Sequence, residues 1–181
     1  EHADRLVLKM DPGSAFGTGS HPTTRLCLEA LEEMPPHDQR VADLGCGSGV
    51  LGLASLALGA SEVFAADTDS LAVRATTDNA ALNGLKAEQL RVGHGSIDTL
   101  ATLLNGEEAD LLLCNILAPV IEALAPQFAS VLKSTGRGLL SGLLVDQAPR
   151  LMEVLAEYGW QARPIGEQGR WGLLEIKRIF R

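Results

Sequence analysis

The alternation of strand and helix is clearest in residues 41–67, which read VADLGCGSGVLGLASLALGASEVFAAD. Residues 41–44, which are apolar apart from Asp43, predict a short buried strand, and the glycine-rich residues 45–49 predict a tight loop directly after it. Residues 50–58 are apolar all round and predict a buried helix, while residues 62–66 predict a second buried strand. A strand, a loop, a helix and a further strand in this order form a βαβ crossover, which indicates a parallel sheet.

The same alternation extends through the rest of the chain. Further helices are predicted over 70–83, 119–132 and 147–158, and further strands over 89–92, 109–114, 138–144, 160–165 and 171–177. Thr23 is predicted to cap an earlier helix, and Ser70 to cap the helix that it begins. The pattern predicts an α/β, Rossmann-like, doubly wound and mainly parallel seven-stranded sheet, whose last two strands form a C-terminal antiparallel hairpin.

The amino-acid composition limits the classes of protein to which this chain can belong. The chain has 181 residues, of which 46% are apolar, and its 15 basic and 23 acidic residues give a net charge of −8. This length suits one globular domain, and the acidic charge disfavours direct nucleic-acid binding while allowing a basic protein partner. No run of about 18 apolar residues and no signal peptide are found, so we expect no membrane span and a cytoplasmic location. Because Glu1 is not a start methionine, we interpret the sequence as a processed product or a piece of a longer protein.

Cysteine and histidine give no sign of a metal site. Cys27, Cys46 and Cys114 fit no zinc-binding spacing, and an odd number does not make a closed set of disulfides. We expect buried, reduced thiols. The four histidines are scattered without a ligand spacing, so no metal is predicted.

Three features are expected to meet at the carboxyl ends of the strands, where ligands bind in such folds. The first is the glycine loop with Gly45 and Gly47; its residues 47–52 also match the dinucleotide fingerprint GxGxxG, so the loop alone fits either a nicotinamide or S-adenosyl-L-methionine. The second is Asp67, which can accept the ribose hydroxyls of an adenosine, with Asp69 as the rival. The third is Asp43, whose carboxylate would repel a pyrophosphate and attract a sulfonium cation, which favours S-adenosyl-L-methionine.

Five stretches together resemble one family along nearly the whole chain. They are DPGSAFGTGSHPTT at 11–24, DLGCGSG at 43–49, DTD at 67–69, NILA at 115–118 and SGLL at 141–144. The glycine loop is generic to class I methyltransferases, whereas the first and fourth stretches are much more specific. On these residues the chain is identified as resembling the ribosomal protein L11 methyltransferases.

The resemblance implies an activity and a set of site residues. Members transfer methyl groups from S-adenosyl-L-methionine to amines of a large-subunit ribosomal protein at the stalk base, namely lysine side chains and the N-terminal α-amine. The implied cofactor contacts are Thr24, Gly45, Asp67 and Asn115, and Phe16, Gly17 and His21 would line the methyl-transfer end. Phe16 and Gly17 join the candidate cofactor site on this ground, and Asp43 and Gly47 join it from the features described above. Residues 1–22 would be a loop segment that covers the cofactor site, and residues 23–181 the methyltransferase domain. Members usually carry a further N-terminal recognition domain, which this sequence does not include.

Two residues are candidates for a catalytic role. Asn115 is expected to orient the incoming amine through its side-chain carbonyl, and His21 is either an acid/base near the transferred methyl or a structural residue of the loop. A dedicated general base is not required, because burial lowers the pKa of a lysine. Three alternatives stay open: the same chemistry on another protein lysine or a small amine, an NAD-dependent oxidoreductase, and a cofactor-binding module without activity.

Overall fold

A computed structural model describes residues 5–11 and 19–179 of the chain. Its strands are β1 Arg40–Leu44, β2 Glu62–Asp67, β3 Leu90–His94, β4 Ala109–Asn115, β5 Leu132–Leu144, β6 Trp160–Gln168 and β7 Trp171–Arg178. Its α-helices are α1 Pro22–Glu33, α2 Val50–Ala57, α3 Ser70–Leu82, α4 Ile97–Leu104, α5 Ala118–Leu124 and α6 Ala148–Glu157. Two short 3₁₀ helices span Ala125–Ser130 and Val145–Gln147.

The strands form one sheet in the order β3-β2-β1-β4-β5-β7-β6. Strands β1 to β5 pair in parallel, and β7 pairs antiparallel with both β5 and β6. This confirms the doubly wound, mainly parallel sheet and the C-terminal hairpin. After β1 the chain builds outward through β2 and β3, and it then returns to place β4 on the other side of β1. The carboxyl ends of β1 and β4 therefore border the switch point, where the binding crevice of such sheets lies.

Both faces of the sheet are buried, which explains why the central strands are mostly apolar on both faces. Successive residues point to opposite faces, so Ala42 and Leu44 pack in one apolar cluster with α4, α5 and α6. Val41 belongs to the second cluster, which contains side chains of α1, α2 and α3. By the same alternation, Asp43 points to the α1–α2 side of the sheet.

Two helix caps differ from the sequence prediction. Helix α1 begins at Pro22 and its N-cap is His21, not Thr23, because the His21 ring nitrogen Nδ1 accepts a hydrogen bond from the backbone N–H of Thr23. Proline suits the first helical position, where its missing N–H has no intrahelical partner. Helix α3 is capped by Asp69, whose carboxylate accepts from the N–H of Leu71 at 2.9 Å.

The helices after β3 differ more from the sequence prediction. Helix α4 was not predicted; its Ile97, Leu100 and Leu104 are buried at helical spacing. The helix predicted over 119–132 is two pieces, α5 and a 3₁₀ helix, because Pro126 has no N–H to continue the α-helical ladder. Within the described residues, no helix is long and apolar enough to cross a membrane.

Candidate active site

A cavity of about 230 Å³ lies at the carboxyl ends of β1, β2 and β4. Its walls come from the loops that follow these strands and from α5. The lining residues are Leu44, Gly45, Gly47, Asp67, Thr68, Gly95, Ser96, Asn115, Ile116, Val120 and Leu124. The fold therefore brings together four predicted site residues, namely Gly45, Gly47, Asp67 and Asn115.

The glycine loop turns through left-handed backbone conformations. Gly45, Gly47 and Gly49 have backbone φ angles of 74°, 54° and 86°, which residues other than glycine rarely adopt. Gly45 also lies directly against Ile116, so that a Cβ at this position would overlap the Ile116 side chain. Glycine is needed at position 45 for both reasons, and the loop can pass close to the turn after β4.

Two polar side chains of α3 donate hydrogen bonds to backbone carbonyls of the glycine loop. The Thr76 hydroxyl donates to the carbonyl of Gly47 at 3.0 Å, and the Asn79 amide donates to the carbonyl of Ser48 at 2.8 Å. Both side chains are buried. The sequence analysis missed these residues, although polar residues three apart on an otherwise alanine-rich helix face are a signal that points to such a role.

Asp67 ends β2 with its carboxylate oriented by two backbone amides. Its Oδ2 accepts from Gly47 N at 3.0 Å, and its Oδ1 accepts from Asp69 N at 2.9 Å. Asp69 itself caps α3 and does not line the cavity. Of the two candidate carboxylates, Asp67 is thus the one that lines the cavity.

Asp43 lies beneath the glycine loop and does not line the cavity. Its side chain is 1% exposed, and its Oδ2 has no hydrogen-bond partner among the described residues. Burial raises the pKa of Asp43 to about 7; the nearby charge of Asp67 adds to this rise, and the Gly52 amide opposes it. The carboxyl is therefore poised between its neutral and charged forms near neutral pH.

Asn115 ends β4 and faces the cavity from the side opposite Asp67. Its Nδ2 donates to the hydroxyl of Thr24 at 3.3 Å. Thr24 is fully buried and does not line the cavity, so its placement is that of a partner of Asn115. Ser141, which pairs with Asn115 across the sheet, donates from its hydroxyl to the carbonyl of Thr23 at 2.8 Å.

His21 has a structural position at the start of α1. Its Nδ1 lies 2.8 Å from the Thr23 hydroxyl and caps the helix, and its ring meets Trp171 edge to face at 5.2 Å. It is not among the residues that line the cavity. Phe16 and Gly17, the other two residues expected near the methyl-transfer end, lie outside the described residues.

All three cysteines are free and buried, as predicted. Burial raises the pKa of the Cys27 thiol to about 12 and raises those of Cys46 and Cys114 as well, so none is a reactive thiolate. Residues 5–11 and 19–179 contain no group of three or more side chains arranged to hold a metal ion.

The strand order, the antiparallel β7 and the glycine-loop cavity define a class I methyltransferase fold. The same fold occurs in a 16S rRNA methyltransferase from T. thermophilus, with a TM-score of 0.73 and 23% identity over 96% of this chain and 50% of that one. The chain belongs to the ribosomal protein L11 methyltransferase family, whose model matches residues 1–179.

Individual relatives agree with this membership. A ribosomal protein L11 methyltransferase from Parasynechococcus marenigrum is 70% identical over 178 residues, which cover 98% of this chain and 62% of that protein. The crystal structure of a ribosomal protein L11 methylase from Lactobacillus delbrueckii has a TM-score of 0.85 and 34% identity, over 98% of this chain and 88% of that one. The chain spans about three fifths of the length of the curated relatives that it matches.

Proposed function

We propose that this chain is the methyl-transferring part of an enzyme that uses S-adenosyl-L-methionine to methylate amines of ribosomal protein L11. The observation that carries the proposal is the meeting of the glycine loop, Asp67 and Asn115 around one cavity. Family membership supports the same reaction, because the relatives are named for it.

The residues of the cavity fit this cofactor. The Asp67 carboxylate is fixed by two amides and retains lone pairs for the two ribose hydroxyls. The backbone of Gly45 and Gly47 lies open to the cavity without side chains in the way. The carboxyl of Asp43 beneath the loop favours a cation nearby, which speaks for a sulfonium and against the pyrophosphate of a nicotinamide cofactor. When bound, the cofactor supplies a methyl group activated by the positive charge of its sulfur.

Asn115 is the residue that we assign to the amine. Its Nδ2 is engaged by Thr24, so Oδ1 is the acceptor that remains for an N–H of the substrate. The apolar side chains of Leu44, Ile116 and Val120 line the cavity, and an apolar lining lowers the pKa of a lysine that enters, which favours the neutral nucleophile. Among the described lining residues, Asp67 is the single titratable side chain, and both of its oxygens already accept amides. The amine therefore loses its proton to water or on entry, without a dedicated base.

The charge of the chain suits the proposed substrate. A net charge of −8 attracts a basic protein segment and repels free nucleic acid. The second candidate function is the same chemistry on another lysine-bearing protein or on a small amine. The described lining residues can bind an amine, but they do not distinguish which molecule carries it. The proposed setting is the cytoplasm, where ribosomal proteins are made.

Calorimetry and a transfer assay test the proposal in sequence. We expect the purified chain to bind S-adenosyl-L-methionine and not NAD. With cofactor tritiated on the methyl, label should enter purified ribosomal protein L11 and should not enter L11 whose amines have been acetylated. Binding of NAD alone would sink the methyltransferase proposal. Cofactor binding without transfer to L11 or to n-butylamine would favour a binding module without activity.

A further inference from the structure

We propose that Asn79 is a positioning residue that holds the glycine loop and the N-terminal segment, residues 8–11, in one fixed arrangement. The Asn79 side chain, which comes from α3, contacts both parts at once. The cofactor affinity provided by the loop therefore depends on its link to this segment. The inference rests on the proposed function, since the backbone of the glycine loop is proposed there to lie along the cofactor.

The carboxamide of Asn79 joins two parts of the chain that are far apart in sequence. Its Nδ2 donates to the carbonyl of Ser48 in the glycine loop at 2.8 Å, and its Oδ1 accepts from the backbone N–H of Asp11 at 2.9 Å. A backbone carbonyl can only accept and a backbone N–H can only donate, so the two partners fix which end of the carboxamide faces each part. The side chain is 1% exposed, and hydrogen bonds made away from water define geometry strictly.

Asn83, the residue that follows α3, binds the same segment at a second point. Its Oδ1 accepts from the N–H of Lys9 at 3.0 Å, and its Nδ2 donates to the carbonyl of Lys9 at 2.8 Å and to that of Asn79 at 2.7 Å. Four residues of helix rise about 6 Å and two residues of extended chain about 6.6 Å, so the two asparagines match the spacing of Lys9 and Asp11. Unlike Asn79, Asn83 makes no hydrogen bond to the described part of the glycine loop.

The apolar side chains of the N-terminal segment bind it to the domain as well. Leu8 and Met10 are half-buried against the apolar cluster that contains side chains of α1 and α2, whereas Lys9 and Asp11 are exposed. This alternation indicates an extended backbone, which turns the N–H groups of Lys9 and Asp11 to the same side. The segment leads into residues 11–24, the stretch with the most specific family resemblance. The hydrogen bond to Asp11 therefore fixes where that stretch begins.

The glycine loop lies directly against α3. A Cβ on Gly49 would lie 3.2 Å from the Thr76 Cα, which shows how closely the two backbones approach. The Thr76 hydroxyl donates to the carbonyl of Gly47 at 3.0 Å, and Asn79 binds the carbonyl of the next residue. Two neighbouring carbonyls of the loop are thus held from α3, and the second hydrogen bond comes from the side chain that also binds the N-terminal segment.

The test compares Asn79→Ala with Asn83→Ala, because both asparagines bind the N-terminal segment and Asn79 also binds the loop. Isothermal calorimetry gives the Kd for S-adenosyl-L-methionine. The segment is followed by the ¹³C-methyl signal of Met10, one of three methionines in the chain, which lies between the two anchored residues. Met10→Leu assigns this signal, and the methyl signals of Met34 and Met152 serve as internal references.

In the free chain, both asparagine variants should move the Met10 signal and leave the two reference signals in place. Hydrogen exchange at the Gly49 amide, which donates to the carbonyl of Cys46 within the loop at 2.8 Å, should accelerate in Asn79→Ala and not in Asn83→Ala.

The cofactor should distinguish the two variants in the same way. We expect the Kd for S-adenosyl-L-methionine to rise about fivefold in Asn79→Ala, because a loosened loop must be ordered on binding, and less than about twofold in Asn83→Ala. In the wild-type chain, saturating cofactor should move the Met10 signal, because a link between two sites acts in both directions. This response should persist in Asn83→Ala and be lost in Asn79→Ala.

Equal rises of Kd in the two variants, or a Met10 signal that does not respond to the cofactor in the wild-type chain, would overturn the inference. If Asn79→Ala does not fold, Asn79→Asp decides in its place, since it keeps the acceptor for Asp11 and loses the donor to Ser48. It should raise the Kd while the Met10 signal of the free chain stays near its wild-type position. If the wild-type chain binds no S-adenosyl-L-methionine, the proposed function fails, while Gly49 exchange and the Met10 signal of the free chain still decide whether Asn79 links loop and segment.

Discussion

Asp67 and Gly47 are joined by a hydrogen bond of 3.0 Å that crosses from the end of β2 to the loop after β1. The bond couples the carboxylate proposed to hold the ribose with the loop proposed to pass beneath the cofactor. A second amide, from Asp69, fixes the other carboxylate oxygen at 2.9 Å. The carboxylate is thus oriented before any ligand arrives, which lowers the entropy lost on binding.

Asp67→Ala should weaken binding of S-adenosyl-L-methionine about 100-fold or more, because the carboxylate is proposed to accept both ribose hydroxyls. Hydrogen bonds to a charged group are worth about 1.5–3 kcal/mol each, and the variant also frees the Gly47 amide. Isothermal calorimetry measures the change. Asp69→Asn is the control, because asparagine caps a helix as well as aspartate does, and its affinity should stay within about twofold. Equal losses in both variants would contradict the assignment of the ribose contact to Asp67.

Gly45→Ala should impair both stability and cofactor binding. Gly45 and Gly84 have nearly the same φ, 74° and 71°, but a Cβ at Gly45 would overlap Ile116 while a Cβ at Gly84 would meet nothing within 4 Å. Both substitutions carry the left-handed penalty of about 1–2 kcal/mol. The excess loss in Gly45→Ala, measured by urea unfolding and calorimetry, therefore reports the close approach of the loop to the turn. Indistinguishable variants would show that Ile116 moves aside without cost.

The sequence predicts the sheet and much of the cavity because both depend on local signals. Apolar runs of strand length mark the buried strands, glycines mark the loop, and the distance from Gly47 to Asp67 is set by one βαβ unit. Contacts between side chains that are distant in sequence carry no such local signal. Thr24 and Asn115 meet across 91 positions, and only the family resemblance assigns both residues to the same site.

The errors in the predicted elements have local physical causes. His21 replaces Thr23 as the cap of α1 because a histidine ring nitrogen can accept an amide as well as a hydroxyl can. Pro126 interrupts a helix pattern whose apolar spacing continues past it. Helix α4 has only three buried residues, Ile97, Leu100 and Leu104, whereas the equally short α2 is recognised because it is apolar all round.

Asn115→Ala should keep the fold and lower methyl transfer about 10- to 100-fold or more, since it removes a hydrogen bond made to the reacting amine. Asn115→Asp retains acceptor oxygens toward the cavity and should keep more activity than the alanine variant. Initial rates with tritiated cofactor and ribosomal protein L11 measure both, and far-ultraviolet circular dichroism checks the fold. Full activity of Asn115→Ala would remove this residue from the mechanism.

Glu175→Gln should lower the free energy of unfolding by about 3 kcal/mol, because it leaves the half-buried Arg137 without its counter-charge. The Glu175 side chain is 3% exposed and accepts from Arg137 at 2.6 Å and from Arg163 at 3.0 Å. Arg137 is 16% exposed, whereas Arg163 is 69% exposed. Arg163→Gln should therefore lose less than about 1 kcal/mol in the same urea titration. A large loss in Arg163→Gln would show that the exposed ion pair between Arg163 and Glu175 contributes most of the stability.

Asp43 should make the folded chain less stable as the pH rises from about 4 to 7. Burial raises its folded pKa from the ordinary value of 3.8 to about 7, so the native state holds the proton more tightly than the unfolded state does. Its contribution is complete below pH 3.8, falls through this window and is lost above pH 7, with a span of up to about 4 kcal/mol.

Glu175 and Asp110 act in the opposite direction below about pH 4, since their partners hold the pKa of each carboxyl below its usual value despite burial. Urea unfolding at half-unit steps between pH 4.5 and 8 measures the slope, and Asp43→Asn, which cannot ionise, should flatten it. The same slope in the wild type and in Asp43→Asn would mean that Asp43 is ionised throughout, held by a partner such as the Gly52 amide.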